Sequence, residues 1–231
     1  MGSLLFRNDA CLVINKVPGE SSESPKIENY SGELFPVHRL DMPASGCLLF
    51  ARTQAAAAFL GEAFSRRENS RRDRRVEKLY WAIIEKPETA IPPEAELVHW
   101  LGENRKANKS FAYPKSPLAD PTGCESKLKK AVLRYRLVGE GRNYLFLEIE
   151  LITGRHHQIR AQLAAVGLHI KGDLKYGAKR SEKAGGIRLH AYSLTFPNPL
   201  APNEIIKVKA PPPEMDPLWL AFAEAAAPLE K

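Results

Sequence analysis

Residues 34–61 contain one carboxylate, Asp41, set between Leu40 and Met42 and followed by the turn sequence Pro43-Ala44-Ser45-Gly46. His38, Arg39 and Arg52 are its charged or titratable neighbours in the chain. An acid in so apolar a setting needs its charge compensated. It can do so as a turn residue bonded to the Ser45 or Gly46 amide. Alternatively, it stays ionised in a cleft beside a cation, as a nucleophile or base.

Residues 151–172 contain no acid and carry Arg155, His156, His157 and Arg160. If residues 155–166 form a helix, Ile159, Leu163 and Val166 make its apolar stripe and Arg160 joins His156 and His157 on the other face. That face suits an anion, or is simply a solvated basic surface. Adjacent histidines lack the i, i+4 spacing of a helical zinc site, so no metal is expected. Tyr80 lies in an apolar run, residues 78–85, that reads as a strand covered on both sides. It is either a core aromatic or a hydroxyl facing a cleft. Arg66, Arg67, Arg71, Arg72, Arg74 and Arg75 crowd the ten residues 66–75, a basic run that suits a polyanion or a solvated helix end.

These groups must be positioned by the elements around them. Residues 11–16 read as a buried strand stopped by Pro18-Gly19, then 19–35 as a long polar loop. A strand at 46–52 leads into a helix over 54–67, with Ala55, Phe59, Ala63 and Phe64 at helical spacing. Residues 97–101 and 110–113 suggest a hairpin, a Pro-rich loop covers 114–123, and 131–138 with 144–152 bracket the turn 139–143. Gly167 stops the 155–166 helix; strands at 187–196 and 205–209 and an Ala-rich helix after Pro217 follow. Strands outnumber helices and many are adjacent hairpins. The expected class is α+β, with a largely antiparallel or mixed central sheet in a single domain over 1–231. The Pro-rich stretches at 87–93, 114–121 and 197–202 are too short for interdomain linkers.

Lys and Arg number 34 against 27 Asp and Glu, a net charge of +7, which makes a polyanion a plausible partner. Hydrophobic residues make up 44%, which excludes wholesale disorder. Cys11, Cys47 and Cys124 are odd in number and form no CxxC pair, so a disulfide framework is not expected and a reducing cytoplasm fits. No apolar run is long enough to span a membrane, no signal peptide is evident, and Phe6 breaks the myristoylation pattern.

The segments HRLDMPASGCLLFAR (38–52), EKLYWAIIE (77–85) and LITGRHHQIRAQLAAVGLHIKGDLKYG (151–177) occur in that order. With CLVINKVPG (11–19) and IRLHAYSLTFPNP (187–199), they make the chain resemble the RluA-type pseudouridine synthase family over about residues 5–210. The resemblance implies an isomerase that breaks the N1–C1′ bond of a uridine in ribosomal or transfer RNA, turns the base and joins C5 to C1′, without cofactor or metal. By motif, Asp41 is the catalytic aspartate. Tyr80 stacks on the uracil, or takes the 2′ proton in a glycal route. Arg160 is the ion-pair partner of Asp41. The base would be flipped into a cleft, with Arg39 filling the gap. His38, Arg155, His157 and the six arginines of 66–75 would hold RNA.

The chain departs from the pattern at Ala44, where Thr is usual, at Met42-Pro43 after the aspartate, and at His169-Ile170-Lys171, where His-Pro is commoner. The resemblance leaves no room for an N-terminal S4 domain and suggests a cytoplasmic monomer. The competing readings are a catalytically inactive RNA-binding protein of the same fold and a metal-dependent nuclease, which would need carboxylate clusters that the Arg-rich segments lack.

Overall fold

The computed structural model describes residues 2–24, 27, 30, 32–65, 76–114, 128–183, 185–213 and 215–227. The arginine run 66–75, Cys124 and most of the Pro-rich loop lie outside the described residues. In chain order the elements are β1 (Ser3–Arg7), β2 (Cys11–Lys16), β3 (Phe35–Pro36), β4 (Ser45–Ala51), α1 (Gln54–Ser65), β5 (Glu77–Glu85), β6 (Glu94–Asn104) and β7 (Lys109–Tyr113). There follow β8 (Lys129–Glu140), β9 (Tyr144–Leu151), α2 (Gln158–Ala165), a 3-10 turn (Leu174–Tyr176), β10 (Leu189–Asn198), β11 (Ala201–Lys209) and α3 (Pro217–Ala226). None of these helices is long and apolar enough to cross a membrane.

Two compact units divide the chain. The first comprises Met1–Trp81 and Leu189–Ala221, the second Ala82–Arg188 and Phe222–Lys231. In the first unit, β2 lies antiparallel between β1 and β4, β4 pairs parallel with β10, and β11 and β3 add to β10 and β4. Every residue of β2 and β4 is buried. The apolar runs within them, residues 11–14 and 47–51, show no alternation, as such a position requires. One side of this sheet packs Cys11, Val13, Cys47 and Leu49 with Leu194, Phe196 and Val208 against Ala56 and Leu60 of α1. Each large side chain buried here contributes roughly 1.5–3 kcal/mol.

Helix α1 starts where Thr53 Oγ1 accepts the Ala56 amide at 3.1 Å, an N-cap that satisfies a free helix donor. Its buried stripe is Ala56, Leu60 and Ala63. Ala55, to which the periodicity points, is exposed, while Phe59 and Phe64 flank the stripe half-buried. The difference arises because alanines fill 55–58 and carry no polarity contrast.

In the second unit, β9, β8, β6 and β7 run antiparallel in that order. The 131–138/144–152 hairpin appears as β8 and β9, closed by the Gly141 amide on Tyr144 O at 2.8 Å. Leu101, Ala131, Ala161 of α2 and Tyr176 form a small core on one face. Mixed strand pairing with three helices gives the α+β fold.

The parallel pairing of β4 with β10 explains Ser45-Gly46. Ser45 and Gly46 stand opposite His190 and Ala191. Gly46 has φ +112°, and a Cβ there would lie 2.3 Å from Ala191 O and 2.6 Å from Ala191 N. Both conformation and contact therefore demand glycine. Gly46→Ala is expected to cost about 3 kcal/mol or more, read as a large fall in the urea midpoint. A midpoint within error of wild type would show that β4 and β10 can separate at no cost.

Candidate active site

In the first unit, Asp41 is half-buried and its backbone is tied down on both sides. Before it, the Ser22 hydroxyl donates to Leu40 O at 2.8 Å and accepts the Leu40 amide at 3.0 Å. After it, Met42 O accepts the Lys16 ammonium at 3.1 Å and the Gly19 amide at 2.8 Å. The turn is closed by the Ala44 amide on Asp41 O at 3.0 Å. Lys16 is fully buried at the end of β2. Burial lowers its pKa to about 8 against the opposing pull of Glu20 and Asp41, so it is still charged at neutral pH. Tyr80, 7% exposed in β5, is pushed upward first by burial and then by the Asp41 charge. Its phenol is therefore neutral.

The segment is pinned to the sheet by two histidines. His38 Nε2 accepts the Leu49 amide at 3.0 Å, and its ring stacks on Phe64 at 4.9 Å. An accepting ring nitrogen must be unprotonated. Burial and then the Lys78 charge lower this histidine to about 3. His190 takes the Ser45 hydroxyl on Nδ1 and donates Nε2–H to Ala210 O, each at 2.9 Å, a tautomer assigned from these partners. Burial holds it at about 4. His38, expected against RNA, is thus a pin for the HRLD segment, while Arg39 is exposed beside Asp41. Burial also raises Cys11 to about 11 and Cys47 to about 12, so neither thiol is a nucleophile.

In the second unit, α2 begins at Gln158 rather than at 155. His157 sits at φ 50°, a left-handed conformation rare outside glycine, and interrupts the helical path. The preceding turn is held by Gln158: Oε1 accepts the Thr153 hydroxyl (2.8 Å) and the Arg155 amide (2.9 Å), and Nε2 donates to Val132 O (3.0 Å). Residues Gln158 to Leu163 are all buried. The alternative of a solvated basic face on this helix is therefore excluded. His157 is buried against Tyr176 OH at 3.0 Å and stacks on His156 at 3.8 Å. Burial and then the Arg160 charge lower it to about 3. Arg155 is exposed and donates Nε to Lys130 O at 3.2 Å.

Arg160 is 4% exposed and donates Nε and an Nη to the two carboxylate oxygens of Asp173, at 2.6 and 2.8 Å. Its guanidinium also lies over the Tyr176 ring, 4.8 Å from the centroid. The carboxylate that holds Arg160 in this fork is Asp173. Asp173 was missed because it stands one residue beyond the acid-free stretch, although it belongs to the GDLKYG part of the third motif. Lys16, Ser22, Tyr176 and His190 were likewise not singled out. Among the described residues, no group of three or more His, Cys, Asp or Glu is placed to hold a metal ion.

Residues 13–165 match the family described as RNA pseudouridylate synthase. An uncharacterised RNA pseudouridine synthase of Zymomonas mobilis is 32% identical, with 83% of this chain and 85% of that one covered. The dual-specificity RNA pseudouridine synthase RluA of Pasteurella multocida is 30% identical, over 90% of this chain and 92% of that one. Among solved structures, human RNA pseudouridylate synthase domain containing 4 is similar in fold, with a TM-score of 0.71 at 20% identity over 96% of this chain and 92% of that one.

Two outcomes follow from this geometry. Asp173→Ala leaves the Arg160 guanidinium buried without its fork and should cost about 3–5 kcal/mol in urea unfolding; a change below about 0.5 kcal/mol would show the pair to be dispensable. His38, His157 and His190 have folded-state pKa values below the ordinary 6.5, so the unfolded chain protonates first as pH falls. Their contribution is complete above 6.5 and is lost progressively below it, by at most about 1.4 kcal/mol per histidine per pH unit. Unfolding midpoints should therefore drop steadily from pH 7 to acid, and less steeply in a His190→Gln variant. A flat profile would mean that these rings are not held neutral.

Proposed function

Since the chain belongs to the RNA pseudouridylate synthase family, isomerases that convert uridine in RNA to pseudouridine, we propose that Asp41 is the carboxylate on which this reaction depends. The observation that supports this reading is the fixed backbone of Asp41. Ser22, Lys16 and Gly19 hold it from both sides, while its side chain is left half-buried with Tyr80 in its field. A carboxylate held in place before substrate arrives keeps the orientation that attack at C1′, or assistance to its departure from N1, requires. The reaction is balanced within the nucleotide: N1–C1′ breaks, C5–C1′ forms, the C5 proton is lost and N1 gains one. No redox partner enters.

Tyr80, kept as a neutral phenol, is the surface on which the freed uracil stacks. In the second unit, Asp173 fixes the plane of the Arg160 guanidinium. To reach Asp41, a stacked uridine has to leave its helix at a cost of roughly a few kcal/mol. Exposed Arg39, a planar cation able to stack, fills the gap. The substrate is ribosomal or transfer RNA, as the resemblance carried by the three sequence motifs implies. The remaining basic residues named from the sequence, Arg155 and the 66–75 arginines, would contact phosphates.

Asp41→Asn should leave the circular dichroism spectrum and RNA binding unchanged and lower pseudouridine formation by several orders of magnitude. Pseudouridine would be mapped in RNA incubated with each protein. Near-wild-type turnover by the variant would overturn the assignment. Absence of turnover in the wild type on total RNA would favour the inactive RNA-binding reading.

A further inference from the structure

We propose that the outward face of β7 and its cationic surround form an RNA-stacking platform in the second unit; the proposal rests on the RNA-directed activity above. Strand alternation divides β7 cleanly. Ser110 and Ala112 face inward, Ala112 against the Leu101–Ala131–Ala161 core. Lys109, Phe111 and Tyr113 face outward, with Phe111 42% and Tyr113 47% exposed. Large apolar side chains left this open mark a binding surface when they stand together. Alternate residues of a strand are about 6.7 Å apart, which leaves room for a base against each ring. Tyr113 is paired across the ladder with Trp100, and Phe111 with Gly102, which has no side chain of its own to set against the ring.

The chemistry around the rings selects the occupant. Lys109 Nζ lies 5.6 Å from the Phe111 centroid, a cation already set over the aromatic surface. The β6–β7 tip, residues 102–113, carries Arg105, Lys106 and Lys109 against the single carboxylate Glu103. Lys129, Lys130, Arg155 and Lys175 are exposed in the same unit, and Lys175 and Arg155 are anchored on Asn108 O and Lys130 O. Lysine is depleted from protein–protein interfaces, whereas aromatic rings interleaved with cations are how single-stranded nucleic acid is held without sequence preference.

The platform is also rigid. Tyr176 OH accepts the Ser110 amide at 2.9 Å and faces Ser110 O at 3.2 Å, and the Ser110 hydroxyl meets His156 Nδ1 at 2.9 Å. These bonds clamp the edge of β7 to the motif that holds Arg160. The strand is thus fixed before RNA arrives, so little entropy is lost in ordering it.

The test uses the full chain and an unmodified transfer-RNA transcript mixture, with affinity measured across a salt series. Phe111→Ala and Tyr113→Ala should each weaken binding about tenfold, and Phe111→Tyr should restore most of it. Lys106→Ala with Lys109→Ala should make the log–log salt slope shallower by roughly 0.7–0.9 for each phosphate no longer neutralised. Thermal midpoints and turnover at saturating RNA should stay at the wild-type level. Affinity unchanged in both aromatic variants, or a slope unchanged in the Lys106→Ala, Lys109→Ala variant, would overturn the platform. So would unchanged affinity accompanied by disappearance of a wild-type dimer, since the face would then bind a second copy. Failure of the wild type to form pseudouridine in any RNA would instead strike the reading of the Asp41 segment, leaving the binding result separate.

Discussion

The Lys16 ammonium is the constraint on which the first unit turns. It is a full charge at the end of an entirely buried strand, with Val17 O and Met42 O as hydrogen-bond partners at 3.1 Å. Withdrawing a cation from water is costly unless acceptors and an opposite charge are supplied. The carbonyl of Met42 and the fields of Glu20 and Asp41 supply them. The same contacts that make the buried lysine tolerable fix the residue after Asp41, just as Ser22 fixes the one before. The turn that presents the carboxylate is therefore built into the β2 strand end.

A comparable coupling runs through the second unit with Tyr176 at its hub. Its ring lies under the Arg160 guanidinium, and its hydroxyl joins His157 and both backbone groups of Ser110. Asp173, 2% exposed, neutralises Arg160 through two hydrogen bonds. Fork-to-fork pairing fixes a plane as well as a charge, which lysine could not do at this position. The left-handed backbone of His157 costs of order 1 kcal/mol, and it persists because Gln158 and the stacked His156 hold the turn on either side.

What could be read from the sequence was set by the range of the interaction. The short apolar runs within 11–16 and 46–52, bounded by turn residues, read as buried strands, and β2 and β4 follow them closely. The turn between β8 and β9 is equally local, a Gly-containing loop between alternating segments. The order of the three long motifs carried the family. The partners were harder to read, because buried polar pairs are matched across the fold and not along the chain. Ser45 finds His190, 145 residues away, and Ser110 finds His156, 46 away. Arg160 and Asp173 are near in sequence, yet a basic residue at helical spacing from two histidines looks solvated until the strand beneath is known. The start of α2 differs from its expected place for a similar reason: His157 is an ordinary residue in an unusual conformation.

The distribution of charge then gives the +7 excess its meaning. The cations that are buried have acids close by: Lys16 lies in the field of Glu20 and Asp41, Arg160 is held by Asp173, and Arg188 with Lys171 closes on Glu182. Burial raises the Glu182 carboxyl, but Arg188 and Lys171 more than reverse it, down to about 2, so this cluster stays ionised throughout the neutral range. Interior charge is therefore close to balanced, as the low dielectric demands. Among the described residues, exposed cations include Arg39, Arg105, Lys106, Lys130, Arg155 and Lys175. Attraction to a phosphate backbone depends on this exposed charge and is screened by salt. On the proposed reading, reaction at one nucleoside rests on Asp41 and the buried groups that fix its backbone, which salt scarcely reaches, and the exposed cations hold the RNA.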